Sequence, residues 1–163
     1  MTQWDAENIH TVRLRMAFKQ RKHHRLTRRD EPMTLEEVRE LFARDYFATE
    51  QCGIQIDSIE NDGAILSMPV TKQHLNANNV VQGGAIYTLC DTAFAAAAIA
   101  NGAMMVNRSA EITYLRPGTG SVLYAKAKCV SRGAKMGLYQ VEVFDEKEML
   151  IALMTANGFV VGA

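Results

Sequence analysis

The chain has 163 residues, 48% of them hydrophobic and 22% charged, which excludes a disordered or fibrous chain and supports one domain with a real core. Eighteen Lys/Arg balance eighteen Asp/Glu, but eight of the basic and only four of the acidic residues fall within the first 31. The remaining body is therefore net acidic and has no general affinity for polyanions such as nucleic acid.

Residues 1–31 form a basic, polar arm with a faint helical stripe of Ile9, Val12 and Met16. It reads as a solvated or packed-down helical segment, with an anion contact as the sharper alternative. His23 and His24 adjoin there without a carboxylate or thiol at ligand spacing, so no metal site is expected. Pro32 separates the arm from the body, residues 32–163. Thr34 and Glu37 then have the spacing of a capping box, in which each side chain satisfies the other's backbone N–H. The helix they open carries Val38, Leu41, Phe42 and Tyr46 and is expected to run to about Cys52-Gly53.

From Gly53 the hydrophobic period becomes two. Residues 53–59 and 64–70 read as strands joined by a turn over 60–63. A polar loop over 71–82, rich in asparagine, leads to Gly83-Gly84. An Ala-rich stretch then predicts a helix over 84–101, stopped by Asn101-Gly102. This helix lacks a polar face, so it is expected inside a core, with Asp91 largely buried. A buried carboxylate needs a partner, a shifted pKa or a job. A bilayer span fits poorly, because the run is rich in Ala rather than Leu and contains Asp91. Four more strands follow over 106–115, 121–130, 136–144 and 149–161. On the second of these, Ala125, Ala127 and Cys129 share one face, opposite Lys126 and Lys128. Small inward residues let a sheet approach a smooth Ala-rich helix, which predicts an α+β protein: one antiparallel sheet wrapped around the central helix.

Cys52, Cys90 and Cys129 have no short spacing, which argues against a disulfide framework or zinc and fits a reducing cytoplasm. No apolar run of the secretory type opens the chain. Cys90 neighbours Asp91 in sequence but falls on the other side of the helix, and no histidine is placed to activate it. His74 is left as a loop residue able to pair across a dimer.

The order helix, two strands, loop, long helix, four strands resembles the hotdog fold. Within it, His74-Leu-Asn76, Gln82-Gly83-Gly84 and Asp91 resemble the signature of phenylacetic-acid-degradation-type (PaaI-like) thioesterases. The similarity continues through residues 109–118 and the turn at Ser131-Arg132-Gly133. It implies hydrolysis of acyl-CoA thioesters, with coenzyme A as part of the substrate and no separate cofactor. It also implies a homodimer, assembled further into a homotetramer.

The chemistry fits the residues. A thioester carbonyl gains negative charge on oxygen when attacked, and free N–H groups at a helix start are suited to hold it. Gly84 N–H is the expected donor, with Ala85 beside it, and Gly83 and Gly84 allow close approach to the backbone. Asp91 lies seven residues beyond Gly84, about 10.5 Å along the helix at ~1.5 Å per residue. It is too far to serve a carbonyl held by its own helix start. Antiparallel pairing of two central helices would set Asp91 of one protomer against Gly84 of the other.

Asp91 is read as general base or nucleophile, against a purely structural buried Asp. Gln82 stands where relatives carry His; it keeps donors and an acceptor but holds no proton at neutral pH. Asn76 is read as orienting the catalytic loop or as a loop cap. Asn107 occupies a position near the attacking water in relatives. Arg132, Gly133 and Lys135, and separately Arg116, are candidates for the phosphates of coenzyme A, against a reading as solvated turns. Two rival readings are a non-hydrolytic acyl-CoA-binding module and a hotdog enoyl-CoA hydratase. The Gln at position 82 counts against the hydratase.

Overall fold

The computed structural model describes residues 32–60 and 63–161. The arm over 1–31 and the tip of the first hairpin lie outside the described residues.

The Thr34 capping box forms as expected. Thr34 N donates to Glu37 Oε2 at 2.7 Å, and Glu37 N donates to Thr34 Oγ1 at 3.3 Å. The helix it opens, α1 (Leu35–Phe42), is shorter than the expected run to residue 52. Asp45 interrupts it. Asp45 N donates to Phe42 O at 2.8 Å, and Asp45 Oδ1 accepts from Ala48 N at 3.1 Å. Its short side chain thus caps a fresh start, and the chain resumes as a π-helical turn, Phe47–Gln51. Gly53 then takes a φ of 64°, which a Cβ would disfavour, and turns the chain into the sheet.

The strands are β1 (Gln55–Glu60), β2 (Gly63–Pro69), β3 (Met105–Tyr114), β4 (Val122–Arg132), β5 (Met136–Asp145) and β6 (Leu150–Val160). Each falls within two residues of its expected bounds. They form one antiparallel sheet in the order β1-β2-β4-β5-β6-β3. The sheet curls around α2 (Gly83–Ala100), which packs against every strand. This is the hotdog architecture. By length and composition alone α2 could cross a membrane, but the sheet encloses most of it.

Small inward residues make the wrapping possible. Ala125, Ala127 and Cys129 on β4 are buried against the helix, as are Ala152 and Ala156 on β6. Where more volume is needed, Phe94 meets Tyr139 of β5 edge-on, ring centroids 5.1 Å apart. The helix ends at Asn101-Gly102, as expected. Gly102 has a φ of 70°, its N–H reaches Ile99 O at 2.8 Å, and Ala103 N reaches Ala98 O at 3.0 Å. These two bonds form a Schellman stop.

One expectation fails in an informative way. Asp91 is only half-buried, and the helix is not enclosed on all sides. A stripe of Gly84, Tyr87, Thr88, Asp91, Ala95 and Ile99, along one side of the helix, stays partly or fully exposed. A six-stranded sheet covers an arc of a helix, not its full circumference. The uncovered arc carries the carboxylate.

Candidate active site

Two elements build the site: the start of α2 and the edge strand β3. The loop over 71–82 aims the helix start. His74 is buried, and its Nδ1 accepts from Thr71 N at 3.0 Å. Gln82 N donates to His74 O at 2.8 Å, and Leu75 bridges Val81 in antiparallel fashion. Asn76 binds its own loop: its Oδ1 accepts from Asn78 N at 2.8 Å and from Val80 N at 3.4 Å. Of the two readings for Asn76, these bonds are those of the loop cap.

Gln82 takes an unexpected position. It is the N-cap of α2, and its Oε1 accepts from Gly84 N and, at 3.2 Å, from Ala85 N. These are the two amides expected to hold an oxyanion. In the resting protomer a carboxamide oxygen of the chain's own already holds Gly84 N–H, while Ala85 N–H donates at 2.9 Å to the backbone Gln82 O and only more distantly to the side chain. The neighbouring glycine is also covered. Tyr114 OH donates to Gly83 O at 2.9 Å, and a Cβ on Gly83 would lie 3.2 Å from the phenol ring. The open approach expected at Gly83 and Gly84 is thus filled by Tyr114 and Gln82.

Farther along the helix, Asn107 Nδ2 donates to Asp91 Oδ1 at 2.7 Å. A carboxylate only accepts, so the amide nitrogen must face it. That leaves Asn107 Oδ1 buried with no hydrogen-bond partner among the described residues. Asn107 reaches Asp91 because β3 carries a bulge between Asn107 and Ser109. Side chains alternate along a strand, so residues 107 and 114, an odd number apart, would face opposite ways on a regular one. The bulge inserts one extra residue and puts both Asn107 and Tyr114 on the helix side.

Cys90 is fully buried, and burial first, then the Asp91 charge, pushes its thiol up to about 12. It is core, as expected. Burial and then the Asp91 charge also raise the Tyr87 phenol. Tyr87 shares the uncovered stripe with Asp91 and Tyr114 covers Gly83, and sequence reading gave neither a role. Tyr114 lies inside the stretch 109–118 that carries the resemblance, but nothing local marks it, since its face depends on the bulge.

The basic candidates separate. Arg132 Nη1 donates to Asn101 O, at the C-terminal end of α2. A guanidinium there complements the helix dipole. Gly133 and Lys135 are exposed in the adjoining turn. Arg116 Nη1 donates to Leu150 O at 2.8 Å. Its turn lies at the other end of the helix, since Gly118 O accepts from Val81 N at 2.9 Å. Arg116 and Arg132 of one protomer therefore flank opposite ends of α2. No group of three or more His, Cys, Asp or Glu able to hold a metal is found among the described residues.

A sheet curled around one helix, with a glycine-rich helix start and a carboxylate on its uncovered face, defines a hotdog-type protein with an enzyme-like site. Comparison with known proteins narrows the class. The model of the thioesterase superfamily matches residues 78–152, from the loop before α2 into β6. The chain is 34% identical over 111 residues to the acyl-coenzyme A thioesterase PaaI of Escherichia coli K12, covering 68% of this chain and 79% of that one. The solved structure of E. coli PaaI superposes with a TM-score of 0.69 at 29% identity, over 76% of this chain and 95% of that one. A Streptococcus mutans UA159 protein solved with acetyl CoA superposes with a TM-score of 0.64 at 28% identity, over 67% and 89%. The chain belongs to the thioesterase superfamily and is a PaaI-like thioesterase.

Proposed function

We propose that the protein hydrolyses acyl-CoA thioesters to free acid and coenzyme A, at a site shared by two protomers of a homodimer. The hydrogen bond from Asn107 to Asp91 carries this reading. It fixes one oxygen of the half-buried Asp91 carboxylate and leaves the other for a proton. A carboxylate oxygen left without a partner on the uncovered face of the helix can accept a hydrogen bond from water. We take Asp91 as the general base that receives the proton of this water.

Water then attacks the thioester carbonyl as Asp91 takes its proton. The carbonyl oxygen becomes an oxyanion at the N–H of Gly84, with Ala85 N–H beside it. Collapse breaks the C–S bond, and the proton held by Asp91 passes to the departing thiolate.

Distance supports the dimer. Gly84 and Asp91 are about 10.5 Å apart along one helix at ~1.5 Å per residue. The uncovered stripe that holds both residues is where an antiparallel α2 from a second copy would lie. A further pairing into a tetramer and a cytoplasmic location remain part of this reading. The substrate class draws on the relatives: the E. coli protein is named an acyl-CoA thioesterase, and the S. mutans protein is bound to acetyl CoA. Lys135 and Gly133, beside the committed Arg132, and Arg116 at the other helix end are the candidates for the phosphates of coenzyme A.

Thiol release measured over a panel of acyl-CoA lengths, phenylacetyl-CoA included, tests the reading. Asp91→Asn in parallel should lower kcat by roughly 10²-fold or more. Full turnover in that variant would remove Asp91 from the reaction.

A further inference from the structure

We propose that the Gln82 side chain is a built-in competitor of the substrate carbonyl: its Oε1 holds the Gly84 N–H at the start of α2, and the thioester must displace it to be activated. The proposal rests on the reading that Gly84 N–H receives the oxyanion, and it adds a residue that sets how tightly substrate enters.

Three observations combine. First, Gly84 N–H, the amide named as the oxyanion donor, is held by Gln82 Oε1, whereas Ala85 N–H already donates to the backbone Gln82 O at 2.9 Å and meets Oε1 only at 3.2 Å. Second, the occupant has the right chemistry. A carboxamide oxygen is an sp² carbonyl acceptor, the same type of group as the thioester oxygen it would stand in for. Third, the occupant can leave. Gln82 is exposed, so its amide can turn into water, where its hydrogen bonds are replaced. The site it vacates is kept open by Gly84: a Cβ there would lie 2.6 Å from Gln82 Oε1, and so would crowd any oxygen in that place.

The consequence is a division of labour within one side chain. Without substrate, Gln82 caps the helix and stabilises the fold. With substrate, it is displaced, and the cost of displacement is incurred on binding. It therefore appears in KM rather than in kcat. Stability and affinity are set in opposition at this residue. An ordinary structural cap would have them move together.

The test is calorimetric titration of the whole protein with two non-hydrolysable analogues. One is an S-alkyl-CoA thioether with no carbonyl. The other is a ketone with a methylene between sulfur and carbonyl. In Gln82→Ala the ketone should bind about fivefold tighter than to wild type, the thioether should be unchanged, and Tm should fall. Gln82→Glu keeps a cap and adds a charge favoured at the helix start. It should hold Tm and lower the ketone-to-thioether affinity ratio below wild type. If Gln82→Ala does not fold, the Gln82→Glu ratio alone decides.

An unchanged ratio in the folded variants, or a lower one in Gln82→Ala, overturns the competitor role. Failure of the underlying reading looks different. Wild type would then bind neither analogue, or Gly84→Pro, which removes the amide at a position where a helix tolerates proline, would retain full kcat.

Discussion

Asn107 and Tyr114 stand seven residues apart on β3, yet both side chains reach α2, Asn107 at Asp91 and Tyr114 at Gly83. The bulge between Asn107 and Ser109 makes this possible. One irregularity in an edge strand thus ties the carboxylate and the glycine-rich helix start to the same support.

Asn107→Ala should lower kcat about tenfold or more while the fold persists, because Asp91 loses the donor that fixes its orientation. Asn107→Asp should do greater damage, since it removes the donor and sets a second negative charge against Asp91. Steady-state thiol release with circular dichroism on the same samples checks both. Equal kcat in wild type and Asn107→Ala would make Asn107 a bystander.

Tyr114→Phe removes a neutral hydrogen bond to Gly83 O and should cost about 1 kcal/mol of stability. Urea unfolding reads this directly. The ring remains, so kcat should stay within about threefold of wild type.

Much of the fold was legible. The change of period at Gly53, the capping box at Thr34, the Asn101-Gly102 stop and the inward alanines of β4 each report a local preference that the tertiary structure keeps. The break at Asp45 was not legible, because the apolar pattern continues across it and only the side-chain bond to Ala48 N reveals the cap. At the site, Asp91 and the glycines stood out from residue type and spacing. Gln82 as the cap did not, since Gln is not among the preferred cap residues and must fold back to reach Gly84 and Ala85. Tyr114 was hidden for another reason: an inserted residue reverses strand alternation and leaves no mark in composition.

Cys90 should be chemically silent. Its thiol is buried and pushed up to about 12 from an ordinary 9.0, so iodoacetamide at pH 8 should leave it unmodified in the folded protein. Cys90→Ala should keep its turnover. The raised value also has a stability consequence. The unfolded thiol ionises near its ordinary value while the folded one does not, so the contribution is complete below pH 9.0 and declines as pH rises toward about 12. Denaturant melts across that range should show stability falling, and less steeply in Cys90→Ala.

Arg132 and Lys135 should part company. Arg132→Ala strips the guanidinium from Asn101 O and should cost about 1–2 kcal/mol of stability. Lys135→Ala should leave Tm unchanged and raise KM for acyl-CoA severalfold, an effect that fades with added salt as expected of an exposed phosphate contact. A Lys135 variant with unchanged KM at low salt would remove that turn from coenzyme A binding.

The central claim is that each reaction needs Asp91 from one protomer and the Gly84 amide from the other. Mixing two crippled variants tests it most directly. Asp91→Asn and Gly84→Pro are each unfolded and refolded alone, then together in equal amounts, and thiol release is compared. In a mixed dimer one site unites the intact Asp91 with the intact Gly84, so the co-refolded sample should recover roughly a quarter of wild-type activity. If native mass spectrometry finds the mixed dimers formed and activity stays at the level of the separate variants, the shared site is contradicted.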